Sequence, residues 1–579
     1  MIVIVAEKPS VARAIEKTLR NHNMGKNVYV IGLRGHLLDS DLKEGYEWGR
    51  IDPSKIFDLR EFQSRVRDNK SYNELVKVFK NNFIEELVIA TDNDSEGELI
   101  GWEVLEVFKN YNGFGKISRM RFNTVSEEEL WRSWQNREEG LNWRWVWRAA
   151  YRRDFDLVTG AAFTRLLTVS ARKKGYKGLI SWGSCQIPTL QYVVEREEKI
   201  RYFKPTPYWV IVGRFRTIRG EVFEARSNKI GDEKVAQELF SKIRNVKEGV
   251  VKEYREDSEI VKRPRPLRTD EMLRDLHRIT GVSASNILRI AEELYSNGYI
   301  SYPRTDTDQW SKDIDFGKIK SAAIKGLGLE TGEVLEQPNP LNGSKNDGAH
   351  PPLYPVTPYP RENTLKWKVW EYIARRFLAN VYSSNAKLLK QHAAINVGEI
   401  ILKTAGSRIE DVGFYRVYPY FKPEENPLPK MTNNEKLKIL ELRLVKEFTK
   451  PPSRLSESEL LKLMERDGIG TDATRAEYPR IIIERGYAVR NAKVIKPTEL
   501  GMNLIKSLRE VDIRLVSPQT RRIVEEYMDL ISKGEKKYDE ALDETLKLYH
   551  SLCKQLEAKI NIIAEELAGS KKHVWRHNF

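Results

Sequence analysis

"ELVIATDNDSEGELIGWEVLEVF", residues 86–108, carries a strand, an acidic loop and a helix in one stretch. Leu87 to Ala90 form a short apolar run of the kind that makes a buried strand. Beyond the loop, Ile100, Val104, Leu105 and Phe108 fall on one face at helical spacing. Gly97 sits where the chain must turn tightly from one into the other. The N-terminus repeats the unit: "IVIVA" is followed by Glu7 and Lys8, then by the amphipathic "PSVARAIEKTL". Two such β-to-α steps predict an α/β domain over residues 1–150, with its functional loops at the strand ends as in other open parallel sheets.

The texture changes further on. From about residue 206, "YWVIVGRF" alternates at strand period, and "HAAINVGEIILKTAG" and "FYRVYPYF" do so again much later. A mostly helical segment separates them, which predicts a β domain of residues 206–257 and 371–450 interrupted by an inserted domain, 258–370. Residues 151–205 and 451–579 read as helical and end in the basic tail "KKHVWRHNF". "ASNILRIAEELYSNGYISY" and "ATRAEYPRIIIERGYAVR" look like a repeat of helix, Gly-Tyr and short strand, aligning Gly298 with Gly486 and Tyr302 with Arg490. That is the pattern of a winged helix, or of two ordinary helix stops.

Composition narrows the function. The chain of 579 residues is too long for one core, and 98 Lys plus Arg against 83 Asp plus Glu leave a net charge of +15. Such an excess draws in polyanions and points to nucleic acid. The two cysteines, Cys185 and Cys553, form no Cys-x-x-Cys pair, which excludes a disulfide framework and a cysteine zinc site and predicts a reducing, cytoplasmic setting. No apolar run approaches the roughly 20 residues of a membrane span. Abundant Lys, Arg and Glu with little Cys is also the composition of thermophiles.

Three clusters carry chemistry. Asp92, Asp94 and Glu96 leave a strand end at alternate positions; carboxylates that close repel one another unless a cation intervenes, and Mg²⁺ suits them, although acids also favour a helix N-terminus. Glu7 and Lys8 leave the other strand end, where Glu7 near further acids keeps a proton closer to neutrality and Lys8 can hold a phosphate. In "GYISYPRTDT", residues 298–307, Tyr302 and Arg304 flank a proline. A phenol of ordinary pKa about 10 is a poor nucleophile until its surroundings take its proton.

A strand-end Glu with Asp-x-Asp-x-Glu resembles the TOPRIM domain of topoisomerases, primases and some nucleases. "SYPRTDT" resembles the active-site motif of type IA topoisomerases, and "GHLLDSD", "GAAFTRLLT", "GSCQIPTL", "GAHPPLYP" and "DGIGTDATRAEYP" match further blocks of that family in order. The chain looks most like the topoisomerase III subgroup of archaea and eukaryotes, with Ser184 where bacterial relatives carry an arginine. The resemblance implies a multidomain α/β plus α+β torus: a TOPRIM Rossmann-like domain, a β arch, a winged-helix-like domain bearing the tyrosine, and a base of 151–205 plus 451–579.

It also implies roles. Tyr302 attacks a DNA phosphodiester to form a 5'-phosphotyrosine link, with Arg304 and His350 on the phosphate, Glu7 as proton donor and Lys8 as phosphate ligand. Asp92, Asp94, Glu96 and Glu7 hold Mg²⁺. Arg165, Ser184, Gln186, Thr471, Asp472, Thr474 and Arg475 line a groove for single-stranded DNA. The resemblance implies neither nucleotide nor zinc as cofactor, and a monomer acting on unpaired or negatively supercoiled DNA, with a helicase as a working partner. The chain has no Gly-x-x-x-x-Gly-Lys-Ser/Thr loop, as a nucleotide-free reaction requires. The rival readings, a TOPRIM nuclease or primase and a non-catalytic DNA-binding protein, leave the tyrosine block unexplained.

Overall fold

The apolar runs at Ile2 and Glu86 become neighbouring central strands of one sheet. The computed structural model describes residues 1–112, 114–471 and 474–570. Its first domain runs β1 (Ile2–Ala6), α1 (Pro9–Asn21), β2 (Val28–Gly32), the hairpin β3 (Leu38–Asp41) and β4 (Gln63–Val66), and α2 (Asn69–Asn81). It continues through β5 (Glu86–Ala90), α3 (Ser95–Asn112), β6 (Lys116–Arg119), α4 (Glu127–Gln135) and β7 (Glu138–Glu139). The sheet order is β2-β1-β5-β6-β7, parallel except at β7.

Ile4 and Val88 enter one core while Val3, Val5, Leu87 and Ile89 enter another, so both faces of the sheet are covered and its strands read as unbroken apolar runs. Register pairs Ala6 with Ala90, which delivers Glu7 and Asp92 to the same sheet edge side by side. Gly97 is forced here: a Cβ would stand 2.1 Å from the Asp92 carbonyl oxygen, where α3 starts hard against the strand end.

The long α5 (Trp143–Lys173) and α6 (Gln186–Arg201) begin the base and lead into a closed six-stranded barrel of order β10-β11-β12-β9-β8-β13. Its strands are β8 (Pro207–Arg216), β9 (Val222–Arg226), β10 (Glu248–Val261), β11 (Ala386–Val397), β12 (Ile400–Asp411) and β13 (Lys436–Phe448), with α7 (Glu233–Ile243) between β9 and β10. β10 pairs with β13 only over Glu248 to Val250; its register against β11 then shifts between Val251 and Glu253, and it runs on to Val261 beside β11.

The chain leaves the barrel there and inserts α8 (Thr269–Thr280), α9 (Ala284–Ser296), α10 (Phe316–Leu327) and α11 (Leu365–Val381) before β11 returns. Because α11 packs on α9 and α10, the barrel resumes at Ala386 rather than at residue 371. "FYRVYPYF" is not a strand. Gly413–Arg416 is a 3₁₀ turn, Phe414, Tyr415 and Tyr418 are buried, and the Tyr418 hydroxyl donates to that of Tyr372 on α11 at 3.0 Å. Its aromatic residues gave the strand signal, and tertiary packing overrode it.

The base is completed by α12 (Glu457–Arg466), α13 (Tyr478–Glu484), the hairpin β14 (Ala488–Asn491) and β15 (Val494–Pro497), α14 (Glu499–Val511), α15 (Pro518–Lys533) and α16 (Tyr538–Gly569). Gly298 and Gly486 both stop a helix in the left-handed region, at φ 78° and 75°. A hairpin wing follows only the second; after Gly298 the chain makes one bridge, Ile300 to Pro355. Contacts close the ring: the Tyr302 amide donates to the Asn123 carbonyl at 2.8 Å, the Ala284 amide donates to Glu457 at 2.7 Å, and α3 lies on α5. No described helix is long and apolar enough to cross a membrane. The basic tail from residue 571 lies outside the described residues.

Candidate active site

The site forms where the inserted domain closes on the end of the first sheet. Tyr302 is 3% exposed, and its hydroxyl donates to Asp94 Oδ2 at 2.5 Å although the two are 208 residues apart. The other Asp94 oxygen accepts from the Gly97 amide at 2.7 Å, which fixes the carboxylate at the start of α3. Lys8 Nζ donates to Asp92 Oδ2 at 2.8 Å and lies 4.0 Å from Glu7. Glu7 Oε2 in turn accepts from the Asp92 amide at 3.1 Å. Tyr295, from α9, donates to Asp92 Oδ1 at 3.3 Å, and its ring meets that of Tyr302 edge-on at 5.1 Å.

Burial, then the charges of Asp92 and Asp94, push the Glu7 carboxyl up to about 8, against the pull of Lys8. Glu7 is therefore protonated at neutral pH. Burial and the Asp94 and Asp92 charges also raise the Tyr302 phenol well above its ordinary value. In this closed arrangement the phenol is held neutral and as a hydrogen-bond donor.

Beside this pair lies a cleft of about 560 Å³ whose lining includes Asp94, Glu96, Arg304, His350, Thr471 and Arg475. Arg304 is held by Glu292 of α9 through its Nε at 2.8 Å. The His350 ring lies over that of Tyr302 with centroids 4.8 Å apart, and its Nδ1 is 3.1 Å from Asp347. Asn93 Nδ2 donates to the Ala349 carbonyl at 3.3 Å, so the acidic loop and the "GAHPP" segment touch directly. Glu96 turns away from Asp92 and Asp94 to His36 at 3.3 Å and Arg152 at 3.3 Å. Burial opposes it, but the His36 hydrogen bond and the Arg152 charge hold Glu96 down at about 2. His36 is likewise driven up to about 10 against its burial by the Glu103 and Glu96 hydrogen bonds, so the pair is ionic at neutral pH.

Asp92, Asp94 and Glu7 bring to one sheet edge the hard oxygen ligands that suit a divalent cation, but here Lys8 and Tyr295 hold Asp92, Tyr302 holds Asp94, and the three are not gathered within 4.8 Å of one another. Glu96 is tied elsewhere. Among the described residues the compact triad is a different one, Asp270, Asp306 and Glu465, with ligand atoms within 4.8 Å of one another. Arg268, Arg274, Arg475 and Lys345 already pair with those acids.

The expected groove residues divide. Arg165 is half-buried, donates to the Tyr46 carbonyl and lies over the Trp48 ring at 5.4 Å. Thr471 lines the cleft, and its amide donates to the Thr474 hydroxyl at 3.2 Å. Arg475 is buried, bonding Asp270 and the carbonyls of Ile469 and Gly470, so it latches the inserted domain onto the base. Ser184 and Gln186 are also buried, and in this conformation neither faces a groove. Ser184 donates to Asp156 at 2.8 Å and accepts from Arg521 at 2.8 Å, while Gln186 bonds Ser181 at 3.1 Å. A guanidinium thus reaches the Ser184 position from α15. Asp472 lies outside the described residues. Sequence reasoning missed Tyr295, Glu292, Arg152, Arg521 and His36, although His36 stands in "GHLLDSD" and Glu292 and Tyr295 in "ASNILRIAEELYSNGYISY".

A doubly covered parallel sheet whose acids meet a tyrosine from an inserted domain, across a closed ring with a β barrel, is the architecture of a type IA topoisomerase. Comparison bears this out. Residues 140–543 match the family described as DNA topoisomerase and residues 2–125 the Toprim domain. DNA topoisomerase 1 of Thermoplasma acidophilum is 34% identical over 582 aligned residues, spanning 96% of this chain and 73% of that protein. DNA topoisomerase 1 of Archaeoglobus fulgidus is 32% identical over 96% of this chain and 84% of its own, and DNA topoisomerase 3-beta-1 of Mus musculus 29% over 98% and 70%. The fold matches full-length topoisomerase I from Thermotoga maritima at a TM-score of 0.75 and 23% identity, covering 96% and 90% of the two chains. The chain belongs to the type IA DNA topoisomerases, and within them it is topoisomerase III-like.

Proposed function

We propose that Tyr302 cuts one DNA strand and that the chain passes a second strand through the gap before resealing it. The observation that carries this reading is the contact of the Tyr302 hydroxyl with Asp94, inside a ring that must open there. The phenolic oxygen attacks phosphorus, the P–O3' bond breaks, and the tyrosine keeps the 5'-phosphate. The phenolic proton leaves along the bond it already makes toward Asp94. Glu7, protonated at neutral pH, gives its proton to the departing 3'-oxygen and takes it back on resealing. Lys8 and Arg304 neutralise the non-bridging oxygens as charge develops, and His350 donates to one of them.

Were Mg²⁺ bound, Asp92 and Asp94 would hold it, with Glu7 joining them only in its deprotonated form, and it would supply positive charge for the phosphate. The phosphotyrosyl link keeps a phosphodiester-type bond, so resealing needs no nucleotide. Arg165, Thr471, Thr474 and Asp472 track the unpaired strand toward the cleft. Ser184, Gln186, Arg475 and Glu96 act by positioning other groups in the closed ring. The working unit is a monomer in the cytoplasm, acting at the nucleoid on single-stranded or negatively supercoiled DNA, and a helicase that exposes unpaired strand is the partner this substrate suits.

The test is denaturation during reaction with end-labelled single-stranded DNA. Wild type is expected to retain the label of the strand carrying the 5'-phosphate, and Tyr302→Phe to retain none. An adduct in both proteins would place the nucleophile elsewhere.

A further inference from the structure

Helix α5 borders two cavities. Its Trp145, Arg148 and Arg152 face the catalytic cleft. Val146, Trp147, Ala150, Arg153 and Asp154, on its other side, line a second cavity of about 160 Å³ that is closed by the β3–β4 hairpin, α3 and the start of α16. That is room for one ring-sized guest, since a cavity of about 150 Å³ accepts benzene. Its lining mixes the aromatic Phe62, Trp102, Trp147 and Tyr538 with two acids, Asp39 and Asp154, which Arg67 and Arg153 neutralise. Trp147 is 40% exposed, its ring centroid is 5.6 Å from that of Tyr538, and Trp102 lies under the Arg153 guanidinium at 5.8 Å. Trp143, also exposed, continues the row at 6.2 Å from Trp147.

The cavity also has hydrogen-bonding groups at its edge. Gln63 lines it, and Ser40 Oγ is buried there with no hydrogen-bond partner among the described residues. Outside it, Arg144 and Lys537 are exposed cations. A planar guest with a polar edge and an anionic tether satisfies all of these at once, and a nucleobase on its phosphate backbone is such a guest.

We propose that this cavity is a second single-strand subsite, which takes one base of the DNA strand that runs through the catalytic cleft. A helix is about 10–12 Å across, so a strand rounding the α5 N-terminus reaches the cavity within a few nucleotides. Stacking reads no particular base, which suits an enzyme that must hold many sequences. An aromatic side chain of a partner protein is the competing occupant; the shared helix and the chain's charge of +15 favour DNA.

The proposal rests on the cleft itself binding single strand, so the test separates the two. Affinities of the full chain for labelled oligothymidylates of about 5 and about 15 nucleotides are measured at one salt concentration, for wild type, Trp147→Ala and Trp147→Phe. The gain from lengthening is expected to shrink about tenfold in Trp147→Ala and to be largely kept in Trp147→Phe. An unchanged gain in a Trp147→Ala protein that melts like wild type would overturn the subsite. Failure of wild type to bind the short oligonucleotide would instead overturn the cleft reading. Should Trp147→Ala not fold, photocrosslinking of wild type to a 5-iodouracil oligonucleotide decides: attachment at Trp147, Trp102 or Tyr538 supports the subsite, and attachment only to cleft residues refutes it.

Discussion

Glu7→Gln gives a quantitative handle on the proton inventory of the site. The carboxyl titrates at about 8, so below that value it is protonated and able to serve the leaving oxygen. One pH unit higher, only about a tenth of the molecules still carry the proton. Single-turnover cleavage by wild type also depends on the phenol, whose ionisation rises with pH, and a raw rate profile mixes the two. The ratio of wild-type to Glu7→Gln rates removes most of the phenol's pH dependence, because both proteins keep Tyr302 and Glu7 comes after burial, Asp94, Asp92 and Arg304 among the influences on it. Loss of a positioned acid costs about 10²–10⁴-fold, which sets the ratio on its plateau below pH 8. Above pH 8 the ratio should fall about tenfold per unit.

The same shift acts on stability with a definite sign. Between its ordinary 4.5 and about 8, Glu7 binds a proton in the folded chain and not in the unfolded one, so stability falls as pH rises through that window. The difference of 8 minus 4.5 corresponds to at most roughly 5 kcal/mol, which Glu7→Gln should abolish. The rate ratio is measured by rapid quench on a single-stranded oligonucleotide, and stability by melting the two proteins across the same pH range. A ratio that stays flat to pH 10, or one that bends near pH 4 to 5, refutes Glu7 as the proton donor.

Three further outcomes are expected. Asp94→Asn should raise the Mg²⁺ concentration needed for plasmid relaxation by about tenfold or more, since a charged ligand is lost, as read by titrating the metal against relaxation rate. Arg475→Ala leaves Asp270 buried without its guanidinium, costing the closed ring about 3–5 kcal/mol; intramolecular distance measurements between the inserted domain and the base should show the open form populated. His36→Ala should let Glu96 titrate nearer its ordinary 4.5 instead of about 2 and so lower cleavage at pH 4 more than at pH 7; an equal loss at both would make His36 a packing residue only.

The strand-loop-helix units around Glu7 and Asp92 were legible because both strands are buried on two faces, so their apolar runs are uninterrupted and their polar ends stand out. The insertion was legible as a change of period. What the sequence does not encode locally is which surfaces meet. Tyr302 finds Asp94 only after the ring closes, and Tyr295, a core-looking residue on α9, shows its hydroxyl to Asp92 for the same reason. Glu96 looks like a third ligand by spacing, but α3 starts at Ser95 and its first turn swings the side chain toward His36 and Arg152. Tyr418 and its neighbours read as strand because aromatic residues suit sheets, whereas here they cover α11.

The register shift in β10 has a mechanical consequence. It falls where β10 parts from β13, so the stretch from Glu253 to Val261 stands out from the barrel wall, backed by β11 and β12. That stretch is a lever about 30 Å long with its fulcrum at Lys252, and a bulge is where a strand bends most readily. Tilting it by about half a radian sweeps its tip through about 15 Å, on the scale of a nucleic-acid strand. The inserted domain hangs from this arm, so a rotation at the bulge is the motion that would carry Tyr302 away from Asp94 while leaving both domains folded.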